Sequence, residues 1–237
     1  MSRLSTYSDL FIDFDDTLYD THGNAEIALR ELFAQCNLGR WFPQPDLFYR
    51  EYWRANIDLW SRYSRGEISR DFLILERFRY PLSFGHGLQP TEAFCRHVGD
   101  LFLQLCADKP GLVEGARPLM EYLQSRGYRL HMCSNGFHEV QYKKLRACGL
   151  EPFFHTIVLS EDAGYNKPAP EFFDYALRVT GASRATTLMI GDNLQTDILG
   201  ARRAGLATAF FNRYPQYPTS EPVDIEVTAL SQLRHYL

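Results

Sequence analysis

The sequence predicts an α/β chain: a three-layer core in which a parallel sheet carries helices on both faces, interrupted near its start by a four-helix insert. Three observations predict it. From about Pro110, apolar runs of strand length alternate with helical stretches that end in glycine. Between Thr21 and Cys106 those runs disappear, and apolar residues recur at three- or four-residue spacing. Residues able to do chemistry fall just after the strand-like runs, where open parallel sheets bind their ligands.

The first strand runs over Leu10 to Phe14 in the stretch FIDFDDTLYD. The insert follows. Helical spacing marks AEIALRELF, PDLFYREYWRANIDLWSRYSR, ISRDFLILERF and TEAFCRHVGDLFLQL, with PLSFGHGLQP as a loop between the last two. Its aromatics, Tyr49, Tyr52, Trp53, Trp60, Tyr63 and Phe84, suit helix packing better than base stacking. The runs YRLHMCS, HTIVLS, TTLMIG and LATAFF are the remaining strands. The helices ARPLMEYLQSRG, HEVQYKKLRACG, PEFFDYALRVTG and TDILGARRAG fill the gaps between and around them. The right-handed crossover rule then places helices on both faces. The expected boundaries are 1–20 and 107–237 for a discontinuous core and 21–106 for the insert.

Composition bounds the function. The chain has 237 residues, 45% of them hydrophobic, which is enough for a sizeable core. A net charge of −4 argues against nucleic acid as a partner, since phosphate backbones need a basic face. No stretch approaches the roughly 20 apolar residues that span a bilayer, and the N-terminus lacks a signal-like apolar segment, so no membrane partner and a cytoplasmic location are expected. The five cysteines are scattered and never form Cys-x-x-Cys, which suggests reduced, buried thiols.

Four stations at strand ends carry chemistry. In Asp13-Phe14-Asp15-Asp16-Thr17, alternation points Asp13 and Asp15 to one side, where they repel unless a cation or proton intervenes. Ser134-Asn135-Gly136 offers a hydroxyl, an amide and backbone N–H groups to an anion, although it is also an ordinary turn. In Asn166-Lys167-Pro168-Ala169-Pro170 the prolines hold Lys167 as a fixed point charge. In Gly191-Asp192-Asn193-Leu194-Gln195-Thr196-Asp197, Asp192 projects from the strand end and Asp197 follows about one turn later. Hard oxygen donors with no histidine or cysteine nearby suit Mg2+, which shares its shell with phosphate. An aspartate attacking phosphorus gives an aspartyl-phosphate, and a metal and a lysine would screen the approach of two anions.

This set, DFDDT at 13–17, Ser134-Asn135, Lys167 in NKPAP and GDNLQTD at 191–197, resembles the haloacid dehalogenase superfamily. The resemblance covers the core and implies a Rossmann-like sheet with a helical cap inserted after the first motif. It implies Asp13 as nucleophile and Asp15 as general acid and then base, with Thr17 helping to place that acid and contributing to the phosphate site. Ser134 and Lys167 would bind the phosphoryl group, and Asn135 would support that site or the neighbouring loop. Mg2+ would be held by Asp13, Asp15 through its carbonyl, and Asp192, with Asp197 a direct or supporting ligand. Asp16 would cap the turn. Members that break carbon–halogen bonds lack the second aspartate, so Asp15 points to a phosphatase. More narrowly, SNGFHEVQYKKLRACGLEPFF and MIGDNLQTDILGARRAGLATAFFN are similar to bacterial pyrimidine 5'-nucleotidases, which commonly carry threonine where Ser134 stands. The expectation is a Mg2+-dependent phosphomonoesterase acting on a small phosphorylated metabolite, a nucleoside 5'-monophosphate above all. A sugar phosphate or N-acylneuraminate 9-phosphate is the alternative. A phosphomutase or a non-catalytic binding protein is less favoured, and the oligomeric state, monomer or dimer, stays open.

Overall fold

The computed structural model describes residues 7–214, 221 and 223–237. The chain forms two compact units, residues 1–21 with 110–237 and residues 22–109.

The first unit is built on strands β1 (Asp9–Ile12), β2 (Arg129–Ser134), β3 (Thr156–Leu159), β4 (Thr187–Gly191), β5 (Ala207–Phe211) and β6 (Ile225–Val227), all parallel, in the order β3-β2-β1-β4-β5-β6. A parallel sheet covered on both faces needs strands apolar on both sides, and every residue of β1 and β4 is buried. Alternation along β1 divides the core. Leu10 and Ile12 join a cluster with Leu119, Met120 and Leu145, whereas Phe11 joins Phe172, Phe173, Met189 and Ala201 on the other face. Strand β6 lies beyond the runs the sequence marks out. It is three residues long, with Ile225 and Val227 buried and Glu226 outward, too short for periodicity to announce.

The second unit holds α1 (Thr21–Gln35, entered one residue before the unit begins), α2 (Pro45–Ser64), α3 (Arg70–Leu82) and α4 (Glu92–Ala107). Ser69 and Thr91 cap α3 and α4, accepting the Phe72 and Phe94 amides at 3.2 and 3.3 Å. Its core gathers Leu32, Phe48, Tyr52, Phe78, Val98 and Phe102, with the Tyr52 ring 5.3 Å from those of Phe78 and Phe102. Helix α3 runs four residues past Phe78, through Pro81, where a loop was expected. The proline sits in the last turn, and the burial of Leu82 offsets the missing backbone bond.

In the first unit, the helices α5 (Ala116–Ser125), α6 (His138–Ala147) and α7 (Pro170–Thr180) follow the expected segments. The segment TDILGARRAG does not form a single helix. A π-helical turn, Leu194–Leu199, comes first, in which the Asp197 and Ile198 amides share the Asn193 carbonyl at 3.0 and 3.3 Å, and a short helix, Gly200–Arg203, follows. Such widened turns cluster at functional sites. Two contacts account for it: Asp197 is drawn inward to Lys167 at 2.7 Å, and Gly200 packs so tightly that a Cβ there would lie 2.9 Å from Pro168. Among the described residues, no helix is long and apolar enough to cross a membrane.

Candidate active site

The register brings the stations together. Ile12 is level with Met132 of β2 and Ile190 of β4, so Asp13, Cys133 and Ser134, and Gly191 and Asp192 emerge at one edge of the sheet, on either side of the strand where the winding reverses. The Asp13 amide donates to the Ile190 carbonyl at 2.9 Å, which holds the residue in line with β4.

Lys167 stands at the centre, 2% exposed, and places all three ammonium protons: on Asp13 Oδ1, on Asp197 Oδ1 and on the Cys133 carbonyl, each at 2.7 Å. Burial alone would lower its pKa, but the two carboxylates outweigh it and push it up. The loop beneath it is fixed by Asn135, whose amide nitrogen donates to the Lys167 carbonyl and whose amide oxygen accepts the Lys167 N–H, both at 2.8 Å. Asn135 thus ties the end of β2 to the loop that carries Lys167.

Asp13 is 7% exposed. Burial pushes its carboxyl up to about 7 despite Lys167, with the charges of Asp197 and Asp15 adding to the rise. Asp192 is raised well above the ordinary carboxylate range, first by burial and then by Asp13 and Asp197. Asp13, Asp192 and Asp197 each present an oxygen within 4.8 Å of the others. Two buried carboxylates, Asp13 and Asp192, raised first by burial and then by the charges around them, are what a divalent cation would relieve, and an all-oxygen set suits a hard one such as Mg2+. The residues present fit that ion. Asp197 also answers to Lys167, and its second oxygen accepts the Asn193 N–H at 3.2 Å.

Two expectations shift. The hydroxyl of Thr17, fully buried, is turned to other partners than Asp15: it lies 3.0 Å from Asp13 Oδ2 and 3.2 Å from Asp192 Oδ1, and accepts the Asp192 N–H at 3.0 Å. Asp15 is held instead by residues that patterning did not single out. Its Oδ1 accepts from Thr21 Oγ1 at 2.7 Å and from Lys144 Nζ at 2.6 Å, and its Oδ2 accepts from Gln141 Nε2. Burial would raise the Asp15 carboxyl, but the Lys144 charge and these hydrogen bonds outweigh it and leave it lowered. The signal for Gln141 and Lys144 was present. With Leu145 they form the buried i, i+3, i+4 stripe of α6, a place where apolar residues are expected and two polar ones need a reason.

Ser134 Oγ accepts from Gly136 N at 3.0 Å and from Gln141 Nε2 at 2.6 Å, which leaves its own proton for another acceptor. Asp16 takes a left-handed conformation, φ 61°, and its N–H bonds the Tyr19 carbonyl at 2.8 Å, the turn role expected of it. Cys133 is buried, and burial raises its thiol pKa, which makes it a packing residue rather than a nucleophile. In the helical unit, Tyr52 is core, whereas Tyr49 and Trp53 border a cavity of about 60 Å³ with Glu26, Leu29 and Arg30.

Known proteins share this arrangement of sequence and fold. The family model of haloacid dehalogenase-like hydrolases matches residues 10–205. The HAD-hydrolase YfnB of Bacillus subtilis is 34% identical over 99% of this chain and 97% of its own. Its magnesium-bound crystal structure superposes with a TM-score of 0.84 at 33% identity, over 97% of both chains. The pyrimidine 5'-nucleotidase YjjG of Escherichia coli is 30% identical over 96% of both chains. An L-2-haloacid dehalogenase of Xanthobacter autotrophicus has a TM-score of 0.73 over 96% of both chains, but at 18% identity this likeness concerns the fold alone. A six-stranded parallel sheet with a helical insert, matched over most of its length by the family model and end to end by a relative, leaves one assignment: the chain belongs to the haloacid dehalogenase-like hydrolases.

Proposed function

We propose that the protein is a phosphomonoesterase that carries the phosphoryl group on Asp13, and that its substrate is a nucleoside 5'-monophosphate. One observation carries the reading: a buried Asp13 held on one oxygen by Lys167, with a second aspartate, Asp15, two residues on and set in its own pocket of donors. Dehalogenation gives that second carboxyl nothing to protonate. A phosphate ester does.

In this reading an Asp13 oxygen attacks phosphorus, forming one P–O bond as the ester P–O bond breaks. Asp15, ionised in the free site, takes up a proton as the anionic ester settles beside it, and delivers that proton to the departing oxygen. It then takes a proton from water, which attacks the same phosphorus, releases phosphate and restores the Asp13 carboxylate. Lys167 holds Asp13 in line and neutralises the buried pair it forms with Asp197. The Ser134 hydroxyl donates to a phosphoryl oxygen. Mg2+, held by Asp13, Asp192 and the Asp15 carbonyl with Asp197 in support, would supply positive charge where nucleophile and phosphoryl oxygens repel. Support for the ion comes from the magnesium-bound Bacillus subtilis relative, and support for the substrate from the pyrimidine 5'-nucleotidases of Escherichia coli and Streptococcus pneumoniae, both 30% identical. We assign substrate choice to the helical insert, whose loops the shared chemistry leaves free to vary.

Relatives described as glyceraldehyde 3-phosphate phosphatases, 34% identical in Pyrococcus abyssi, favour a small sugar phosphate as the second reading. A phosphate-release screen over nucleotides, triose and sugar phosphates, with Mg2+ and with chelator, separates the two. Nucleoside monophosphates are expected to lead, and chelation to abolish turnover. Asp13→Asn is expected to lower kcat by at least about 10³-fold. Retained hydrolysis in that variant would remove the mechanism.

A further inference from the structure

Gln141 is fully buried and directs both protons of one amide into the candidate site, to Asp15 Oδ2 and, at 2.6 Å, to Ser134 Oγ. Its own oxygen, Oε1, is buried with no hydrogen-bond partner among the described residues. Buried polar atoms are nearly always paired, and an orphan carries a cost that a leucine or methionine of similar size would avoid. Packing therefore does not explain a glutamine here, whereas its two donor bonds do.

Gly136 adds an independent observation. It does not occupy the left-handed region that calls for glycine, since its φ is not among the positive values. A Cβ at 136 would lie 2.1 Å from Gln141 Nε2 and 2.4 Å from its Cδ. Space, rather than backbone conformation, sets glycine at 136 apart: a Cβ there would have to push the amide of Gln141 out of the place it fills.

We propose that Gln141 is a positioning residue that ties the acid and base carboxylate of Asp15 to the phosphate-side hydroxyl of Ser134, and that Gly136 is glycine to admit it. This rests on the roles given to Asp15 and Ser134 above. One planar amide bonded to both fixes the separation between the group that protonates the leaving oxygen and the group that holds the phosphoryl oxygens. Without it, Asp15 keeps Thr21 and Lys144 on one oxygen and is free to turn about them. Its aim at the leaving oxygen is lost while its charge environment persists.

The loss should depend on the ester. A nucleoside 5'-monophosphate expels a basic alkoxide that needs a proton in the transition state, whereas p-nitrophenyl phosphate expels a stable phenolate that hardly does. Gln141→Met is expected to lower kcat about 10²-fold on the nucleotide and less than about fivefold on the aryl ester, with KM on the aryl ester little changed. Gln141→Leu, also without donors and of similar bulk, should show the same selectivity, and so serves if the methionine variant folds poorly. Gly136→Ala should reproduce the effect. The double variant Gly136→Ala, Gln141→Met should be no worse than the poorer single, because both remove one contact. Equal losses on the two esters, or additive losses in the double variant, would overturn the proposal. Asp13→Asn is the control: if it stays active, the Asp13 mechanism and the roles given to Asp15 and Ser134 fail with it, and if it is dead while Gln141 variants show no ester dependence, only the positioning role fails.

Discussion

Lys167 carries a full charge at 2% exposure, and the surrounding residues are arranged to make that tolerable. Burying an ion costs several kcal/mol unless its partners are close and its donors all used, and here three acceptors meet three protons. Removing one partner of such a pair strands the others. Lys167→Met is therefore expected to destabilise the protein by about 3–5 kcal/mol, read by urea denaturation in chelator; a loss below about 1 kcal/mol would mean that Asp13 and Asp197 do not need the cation. Gly191 makes the neighbouring carboxylate possible, since a Cβ there would lie 2.4 Å from Asp197 Oδ2. At this scale the sequence was legible where a residue type has few reasons to stand, as with Asp13, Asp192 and Lys167. It was silent on direction. Nothing in the spacing told Thr17 to face Asp13 and Asp192 instead of Asp15, because a side chain's aim depends on a turn whose geometry emerges only with the fold.

At the scale of elements, strand and helix types were readable because their apolar periods differ, and the failures have physical causes. The π-helical turn at Leu194–Leu199 answers to a tertiary pull on Asp197, and β6 is shorter than a period can reveal. Strands β1 and β2 carry a second polar group at the far edge of the sheet. Asp9, completely buried, accepts from Ser8 at 2.7 Å and Arg129 at 2.8 Å, and lies 3.0 Å from His131 Nε2. Burial lowers the His131 pKa, opposed in part by Asp9. The unfolded chain, with its histidine near 6.5, then takes up a proton more readily than the folded one, so stability falls as pH drops below about 6.5. His131 should contribute a slope of up to about 1.4 kcal/mol per pH unit in that window. His131→Gln keeps a donor toward Asp9 but does not titrate. Denaturation midpoints between pH 7.5 and 5.5 should vary less in that variant, and an unchanged slope would clear His131 of the effect.

Over the whole molecule, the chain builds separate apolar clusters for its sheet unit and its helical unit. Phe78, at 0% exposure among Tyr52 and Phe102, belongs to the second. Phe78→Ala is expected to cost about 3–5 kcal/mol, with new proteolytic cuts confined to residues 22–109. Cuts spread through the sheet unit would show that the two melt as one. The insert was legible in outline because the period of apolar residues changes at its edges, while its specificity was not, since exposed loop residues follow no period. The haloacid dehalogenase at 18% identity makes the same point from outside: the architecture is common property, and it does not by itself say what a chain built on it does.

The paired bonds between Asn135 and Lys167 reach further than the loop they fix. One donor and one acceptor, offered together to the backbone N–H and C=O of a single residue, are what a neighbouring strand would supply. The side chain thus acts as one more rung of the ladder, laid just past the last residue of β2. It follows that this position discriminates by hydrogen-bond polarity as well as by size. Aspartate has the length but would set an acceptor against the Lys167 carbonyl, and leucine has the bulk but would leave both backbone groups bare.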